Sequence, residues 1–138
     1  MNLRPATMGD MPAIVRMIGE YDLDYENLGH EQFLIIEEAG EILAFGRLKP
    51  YADAVELGAV GVRKDLRSKG YGRMMVQALL EKAPAEVWIT TDLKDYFKKF
   101  GFAESKNMPV SIKNKLERFC HFTRGPSIAA MVFHKDKG

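Results

Sequence analysis

Residues 62–73 read Val62-Arg63-Lys64-Asp65-Leu66-Arg67-Ser68-Lys69-Gly70-Tyr71-Gly72-Arg73. This segment joins a predicted strand to a predicted helix, and its glycines let successive backbone N–H groups point into one concavity. The N-terminus of the following helix adds the positive end of its dipole, so the turn is suited to phosphate or pyrophosphate. It is not a Walker loop, because no Gly-x-x-x-x-Gly-Lys-[Ser/Thr] is present, and Met75 excludes the Gly-x-Gly-x-x-Gly dinucleotide fingerprint.

The residues on either side of this turn predict a mixed α/β chain. Residues 53–62 have the pattern of a strand that contains Gly58 and Gly61, and such glycines mark a bulge or the close approach of another backbone or a ligand. Residues 72–83 have helical spacing, and Pro84 ends the helix. The predicted buried stripe of this helix is Met75, Val76, Leu79, Leu80 and Ala83.

The N-terminal part predicts a short strand at residues 2–5, followed by a helix. Thr7 and Asp10 have capping-box spacing at the start of that helix. The acidic, tyrosine-rich residues 20–29 predict a second short helix and a loop. The predicted buried stripe of the first helix is Met11, Ile14, Val15 and Ile18.

The other predicted elements complete a single α/β sheet protein. They are strands at residues 33–37, 42–48, 87–90 and 128–133, a strand that begins at Phe102, and a helix at residues 93–100. Gly40 supplies the positive φ of the turn between the first two of these strands. Asp92 is expected to cap the helix, and Gly101 to take the left-handed position at its end.

Length and composition limit the class of protein. With 138 residues, of which 46% are hydrophobic, we expect one domain over residues 1–138 with a substantial core. The single cysteine excludes an internal disulfide and an all-cysteine metal cluster. Charged residues and Pro12 occupy the region where a signal peptide needs an apolar stretch, and the uncharged runs are too short to cross a bilayer. We therefore expect a soluble, cytoplasmic protein without a membrane partner.

The charges are unevenly distributed along the chain. Residues 1–60 contain 4 Lys/Arg and 11 Asp/Glu, whereas residues 61–138 contain 16 Lys/Arg and 8 Asp/Glu. A basic half can bind nucleic acid, an anionic membrane or a phosphorylated small molecule, or have no partner at all. The basic residues cluster at the glycine turn and do not interleave with exposed aromatic residues, which favours phosphate in one pocket over nucleic acid.

Three motifs carry a resemblance to a known family. Arg67-x-x-Gly70-x-Gly72, ahead of an amphipathic helix, resembles the acyl-CoA-binding motif of GNAT-type N-acetyltransferases. Residues 96–102, Tyr-Phe-Lys-Lys-Phe-Gly-Phe, resemble the family's helix-to-strand segment that ends in Gly-Phe. Residues 3–6, Leu-Arg-Pro-Ala, resemble its usual start. The resemblance covers essentially the whole chain, with the motifs in the family's order.

This resemblance implies a fold and a co-substrate. The fold is a single α/β domain with a mixed, mostly antiparallel central sheet that is splayed at the acyl-CoA site and has helices on both faces. The co-substrate is acetyl-CoA, whose acyl arm lies in the splayed gap. The resemblance assigns the backbone groups of Val60, Gly61 and Val62 to the pantetheine amides.

The resemblance also assigns the phosphate contacts. Backbone N–H groups for the pyrophosphate come from Arg67, Ser68, Lys69, Gly70, Tyr71 and Gly72. The side chains of Arg67 and Lys69 add positive charge there. Arg63, Lys64 and Arg73 either meet the remaining phosphate of the nucleotide or form a solvated basic rim.

The acetyltransferase domain of N-acetylglutamate synthases is a closer resemblance. Thr90-Thr91, with residues 96–97 and 101–102, resembles the Leu-Thr-Thr-Arg…Trp-Phe…Gly-Phe pattern of that domain, and residues 56–62 resemble its Glu-Leu-x-x-Leu-x-Val strand. The tail resembles short stand-alone relatives of the group. Asp92 stands where those enzymes have Arg, and no amino-acid kinase domain is present in this sequence, so the resemblance does not fix the amino acid.

Glu56 is the candidate general base. An acceptor ammonium must lose its proton before the nitrogen attacks a thioester, and a carboxylate in an otherwise apolar strand is suited to take that proton through water. The alternative is that Glu56 faces solvent from the other side of the strand. The family's thiolate-protonating Tyr aligns with Phe97, which donates no proton, and Tyr96 lies one residue away. We therefore expect solvent or the ammonium proton to protonate the CoA thiolate.

Cations and tyrosines are the candidate acceptor-binding residues. The candidate partners of an acceptor carboxylate are Arg47, Lys49 and Arg124. The candidate walls of the acceptor pocket are Tyr21, Tyr25 and Tyr51, each of which has the alternative of an ordinary tyrosine over the core. Cys120 and His121 lack spaced partner ligands, so no metal is expected.

The sequence thus predicts an acetyl-CoA-dependent N-acetyltransferase that acts by direct transfer on a small amine, an amino acid foremost. The alternatives within enzymes are a protein, peptide or polyamine acceptor. The alternative from another class is a non-catalytic acyl-CoA-binding module, for which Phe97 is the sequence hint. We expect no nucleic-acid partner, and a homodimer is compatible with the sequence.

Overall fold

The computed structural model describes residues 1–122 and 128–135, of which residues 119–122 are described by their backbone alone. This part of the chain contains seven strands and four α-helices. The strands are β1 (Asn2–Pro5), β2 (Phe33–Glu38), β3 (Glu41–Pro50), β4 (Val55–Val62), β5 (Glu86–Thr91), β6 (Ala103–Glu104) and β7 (Ala129–His134). The helices are α1 (Met11–Glu20), α2 (Tyr71–Lys82), α3 (Lys94–Lys98) and α4 (Val110–Phe122). Within these residues, no helix combines the length and the apolar character needed to cross a membrane.

The strands follow the order β1-β2-β3-β4-β5-β7-β6 in a seven-stranded sheet. Neighbours pair antiparallel in β1–β2, β2–β3, β5–β7 and β6–β7, whereas β4 and β5 pair in parallel at Glu56 and Trp88. The predicted mixed, mostly antiparallel sheet is therefore confirmed. Contacts within the chain define two compact units: a first unit of Met1–Lys49 with Gly58–Lys82, and a second unit of Pro50–Leu57 with Ala83–Gly138.

Helix α1 presents one apolar face to the core of the first unit. Ile14, Met17 and Ile18 are buried there and pack with residues of strands β2 and β3. Their spacing of i, i+3 and i+4 is that of a single helical face. The prediction was wrong at Val15, which is 47% exposed, because it lies about 100° around the helix from Ile14.

Hydrogen bonds fix the start of helix α1. Thr7 and Asp10 form the predicted capping box, in which the backbone N–H of Thr7 donates to Asp10 Oδ2 over 2.7 Å. The guanidinium of Arg4 donates to the carboxylates of Asp10 and Glu37. The hydrogen bond from Arg4 holds the pKa of Asp10 down to about 2. Strands β1 and β2 and the start of helix α1 are thereby tied together.

The connections of the first unit confirm one prediction and correct another. Ala39 (φ 53°) and Gly40 (φ 80°) give the predicted turn between β2 and β3 its left-handed backbone. The predicted helix within residues 20–29 is wrong, because residues 21–29 contain turns and no helical segment. Asp22 (φ 54°) and Asn27 (φ 52°) have a backbone conformation that a right-handed helix does not accept.

Helix α2 has the predicted apolar stripe and lies against strand β3. Met75, Val76, Leu79 and Leu80 are its buried residues. A Cβ atom on Gly46 of strand β3 would stand 2.9 Å from Met75 Cγ and 2.8 Å from Leu79 Cδ1. Strand β3 therefore needs glycine at this position so that the helix approaches the strand this closely.

In the second unit, helix α4 packs with strands β5 and β7. Trp88, Ile112, Ala130 and Val132 form the buried cluster. Helix α4 was not predicted from the sequence. Its apolar residues Ile112 and Leu116 have the i, i+4 spacing of a helix, but a lysine, Lys115, lies beside them on the buried side.

Helix α3 is shorter than predicted, and its start has a different partner. The helix spans Lys94–Lys98, whereas the prediction was residues 93–100. The predicted cap by Asp92 is wrong, because Leu93 is the N-cap residue and the helix has no side-chain cap hydrogen bond. The backbone N–H of Leu93 donates to Thr91 Oγ1 over 2.9 Å. Gly101 has the predicted left-handed backbone, with φ of 102°.

Candidate active site

The cationic turn between β4 and α2 has an open, exposed backbone. A short 3-10 helix at Lys64–Leu66 follows strand β4, and helix α2 begins at Tyr71. Ser68 (φ 67°) and Gly70 (φ 92°) have a left-handed backbone, which glycine adopts without steric cost. A Cβ atom built on Gly70 would meet no atom within 4 Å from any residue other than its two chain neighbours. The space next to this backbone is therefore free of other described atoms of the chain.

Arg67, predicted to add charge at the pyrophosphate, contacts an aromatic ring in this structure. Its guanidinium carbon lies 4.7 Å from the centre of the Tyr21 ring, a separation typical of a cation–π interaction. Its Nε donates to the carbonyl oxygen of Val62 over 3.3 Å. Two residues that the sequence analysis assigned to different ligands, Arg67 and Tyr21, are thus in direct contact.

Arg63, a candidate for the remaining phosphate of the nucleotide, is engaged by two carboxylates. It donates to Asp65 over 2.7 Å and to Glu41 over 2.9 Å. The hydrogen bonds from Arg63 lower the pKa of the Asp65 carboxyl. This arrangement resembles the solvated basic rim, which was the alternative for Arg63, because all three side chains are at least one-third exposed.

The glycines of strand β4 have separate explanations within the first unit. Ala59, which follows Gly58, has φ of 47°, and a left-handed residue inside a strand is typical of a bulge. A Cβ atom on Gly61 would stand 2.5 Å from Phe45 Cζ, so Gly61 allows the close approach of that ring. Val60 and Val62 are half-buried.

Glu56 of strand β4 is buried, with 2% of its surface exposed. This burial excludes the alternative that Glu56 faces solvent. Its carboxylate accepts four hydrogen bonds: Oε1 from Tyr51 Oη (2.9 Å) and Lys115 Nζ (2.8 Å), and Oε2 from Thr90 Oγ1 (2.9 Å) and Lys115 Nζ (2.8 Å). All four residues belong to the second unit.

Lys115, the partner of the candidate base Glu56, is a residue that the sequence did not indicate. It lies on helix α4, is 4% exposed, and forms a buried ion pair with Glu56. A buried lysine needs a carboxylate partner, since an unpaired buried charge is costly. The available signal was a single lysine at the helical spacing of Ile112 and Leu116, but no pattern connects it to a glutamate 59 positions earlier.

Arg47 and Lys49 of strand β3, predicted to bind an acceptor carboxylate, are both buried and both contact a carboxylate of the chain. Lys49 Nζ donates to Asp24 Oδ2 over 2.9 Å, and Arg47 Nη2 lies 3.3 Å from the same oxygen. Arg47 also donates to Gln32 Oε1 over 2.8 Å. The third predicted cation, Arg124, lies outside the described residues.

The aromatic residues predicted near the reaction have varied positions. Phe97 is buried, with its ring edge-on to those of Tyr96 and Phe102, so it is part of an aromatic cluster of the second unit. Tyr25 is 77% exposed, and Tyr51 is the tyrosine that contacts Glu56.

No group of His, Cys, Asp and Glu side chains that could hold a metal occurs among the described residues. The side chains of Cys120 and His121 are not among them.

A model of the acetyltransferase (GNAT) family matches residues 5–102. Among solved structures, Rv2747 from Mycobacterium tuberculosis in complex with CoA and NLQ is similar, with a TM-score of 0.74 and 20% identity over 97% of this chain and 99% of that chain. N-acetylglutamate synthase from Neisseria gonorrhoeae, complexed with coenzyme A and N-acetyl-glutamate, has a TM-score of 0.78 and 18% identity over 96% of this chain and 34% of that chain. Escherichia coli ElaA has a TM-score of 0.70 and 14% identity over 97% of this chain and 100% of that chain. No curated protein matches the chain.

The family match covers most of the chain and includes the predicted phosphate turn and Glu56. The structural similarities, at 20% identity or less, support the fold. The chain is an N-acetyltransferase with acetyl-CoA as its co-substrate, and it belongs to the acetyltransferase (GNAT) family.

Proposed function

We propose that the chain transfers the acetyl group of acetyl-CoA directly to the amine of a small molecule, an amino acid foremost. The open, cationic turn that ends in Gly70 is the observation that carries the co-substrate part of this proposal. The structurally similar N-acetylglutamate synthase from Neisseria gonorrhoeae, crystallised with N-acetyl-glutamate, supports an amino-acid acceptor. The amine nitrogen attacks the thioester carbonyl, the carbon–sulfur bond breaks, and the CoA thiolate leaves.

Acetyl-CoA fits the backbone of the first unit between strand β4 and helix α2. We assign the pantetheine amides to the backbone groups of residues 60–62, and the pyrophosphate to the N–H groups of residues 67–72. The free space beside Gly70 supports this assignment, because phosphate oxygens must approach the backbone there. The helix dipole of α2 and the side chain of Lys69 add favourable charge.

Replacing Gly70 with valine is expected to weaken acetyl-CoA binding more than about tenfold, which corresponds to about 1.4 kcal/mol. The valine side chain would occupy the space that phosphate oxygens need, and its backbone is strained at a φ of 92°. Isothermal titration calorimetry with acetyl-CoA measures the effect.

Gly40→Val is the matched control for this strain. Gly40 also has a positive φ, of 80°, and a Cβ atom there also meets no atom within 4 Å. Both variants should lose similar stability, but Gly40→Val should keep its affinity for acetyl-CoA. An unchanged affinity in Gly70→Val would contradict the assignment of the pyrophosphate to this turn.

We propose Glu56 as the general base of the reaction. Its burial and its ion pair with Lys115 support a carboxylate that stays in one position. Phe97 supplies no proton to the departing thiolate, so we assign that proton to solvent or to the acceptor ammonium. Phe97→Tyr should therefore gain little activity.

We propose that the acceptor carboxylate binds to one of three candidate cations: Arg47, Lys49 or Arg124. Arg47 and Lys49 are each 1% exposed and already hold the carboxylate of Asp24, so an acceptor carboxylate would bind them only by displacing Asp24. Asp92 opposes a second acceptor carboxylate, as in glutamate. At about 5 Å, the partly screened repulsion is about 1–3 kcal/mol, so neutral and basic amino acids compete with glutamate as acceptors.

The acceptor class is tested by thiol release from acetyl-CoA with a panel of amines. L-glutamate is the first compound, followed by neutral and basic amino acids, with polyamines and short peptides beside them. We expect turnover with at least one free amino acid. Turnover confined to polyamines or peptides would show that the amino-acid proposal is wrong. Acetyl-CoA binding without turnover of any amine would favour the non-catalytic acyl-CoA-binding module.

A further inference from the structure

The Glu56 carboxylate has no free position for a water molecule. A carboxylate offers about four lone-pair sites, two on each oxygen. In this structure Lys115 fills one site on each oxygen, and the hydroxyl groups of Tyr51 and Thr90 fill the other two. A proton that reaches Glu56 must therefore come through one of these donors, or a donor must first leave.

The three donor groups differ in their ability to transfer a proton. An ammonium group has three protons and no lone pair, so Lys115 accepts no proton while it is charged. A hydroxyl oxygen that donates its proton to Glu56 still has lone pairs, with which it can accept another proton. Only the hydroxyl groups among these donors can receive a proton on one side and release one on the other.

The two residues that carry the hydroxyl groups are more exposed than Glu56 and Lys115. Glu56 and Lys115 are 2% and 4% exposed, whereas Thr90 and Tyr51 are each half-buried. The body of Tyr51 packs against the apolar cluster that contains Trp88 and Ile112. Thr90 lies one residue before the end of strand β5, where pairing with Ala130 of strand β7 fixes its backbone.

We propose that the Thr90 hydroxyl relays the acceptor's proton to Glu56. This inference rests on the proposed role of Glu56 as the base. One N–H bond of the acceptor ammonium breaks, and its proton reaches Thr90 Oγ1 directly or through one water. The proton already on Thr90 Oγ1 moves to Glu56 Oε2, so the amine and the carboxyl group become neutral and Thr90 is unchanged. The proton returns to solvent by the reverse path after the transfer.

The test compares Thr90→Val, which keeps the shape and removes the hydroxyl, with Thr90→Ser, which keeps the hydroxyl. The measurement is kcat/KM as a function of pH, with L-glutamate or the amine of the panel that the wild type acetylates best. We expect Thr90→Val to lower kcat/KM by about tenfold or more where the acceptor is an ammonium ion. The deficit should shrink as the pH rises towards the pKa of the acceptor amine, and Thr90→Ser should retain most of the activity.

A structural role of Thr90 predicts a different result. If Thr90 only holds strand β5 in place, Thr90→Val loses the same factor at every pH, and that outcome overturns the relay. Tyr51→Phe is the second arm, and a pH-dependent deficit found there and not in Thr90→Val also overturns it. Calorimetry with acetyl-CoA establishes that each variant is folded, and Thr90→Ala replaces any valine variant that is not.

The same experiment separates the relay from the proposed function. If the wild type acetylates an amine and Thr90→Val has the same kcat/KM as the wild type, the relay is rejected and the proposed function stands. A wild type that acetylates no amine of the panel rejects both.

Discussion

Glu56→Gln is expected to lower kcat/KM by about 10²–10⁴-fold at a pH where the acceptor amine is protonated. Glutamine keeps the shape of the side chain but cannot take up a proton. The loss should become smaller as the pH rises, because the amine then loses its proton without help from the protein. The pH dependence of kcat/KM for thiol release measures both features.

Glu104→Gln is the control for Glu56→Gln, since Glu104 is an exposed carboxylate of the same unit, on strand β6. Its pH–rate profile should match that of the wild type. A Glu56→Gln profile with the height and shape of the wild type would exclude Glu56 as the base. A loss of equal size at every pH would indicate that glutamine has only disturbed the structure around Lys115.

Lys115→Met is expected to destabilise the protein by about 3–5 kcal/mol, the usual cost of removing one member of a buried ion pair. Methionine has a similar length but no charge, so the Glu56 carboxylate stays buried without its cation. Urea denaturation at neutral pH measures the loss. The double variant with Glu56→Gln should lose less stability than the two single variants lose together, because the unpaired charge of Glu56 is removed.

Lys113→Met is the matched control on the same helix. Lys113 is exposed, whereas Lys115 is buried, and exposed substitutions of this kind usually change stability by less than about 0.5 kcal/mol. Equal effects of the two variants would contradict the assignment of the buried pair. Strict additivity with Glu56→Gln would contradict the coupling between Lys115 and Glu56.

The sequence predicted most elements whose pattern is local. Helix α2, the β2–β3 hairpin and the capping box of helix α1 depend on residues a few positions apart, and the structure confirms them. Residues 20–29 misled the prediction, because acidic and aromatic residues are compatible with both a helix and a loop. In the structure the segment is a loop, and the left-handed backbone of Asp22 and Asn27 is incompatible with a right-handed helix.

The candidate site was harder to predict than the fold. The sequence singles out Glu56, because a carboxylate in an apolar strand is unusual. Its partner Lys115 lies on a helix whose apolar pattern that lysine interrupts. The contact of Lys49 with Asp24 has the same character, since it joins residues 25 positions apart through charge. Pairing of this kind depends on the folded arrangement and leaves no periodic trace in the sequence.

The contact between Gly46 and helix α2 links a remote position of strand β3 to the proposed binding of acetyl-CoA. Met75 and Leu79, which rest on Gly46, lie about one and two turns after the first residue of the helix, Tyr71. Because Gly46 has no side chain beyond a hydrogen atom, it determines how closely helix α2, and therefore its N-terminus, packs on strand β3. A larger residue there would raise the helix, and with it the N–H groups proposed to receive the pyrophosphate, although residue 46 itself need touch no ligand.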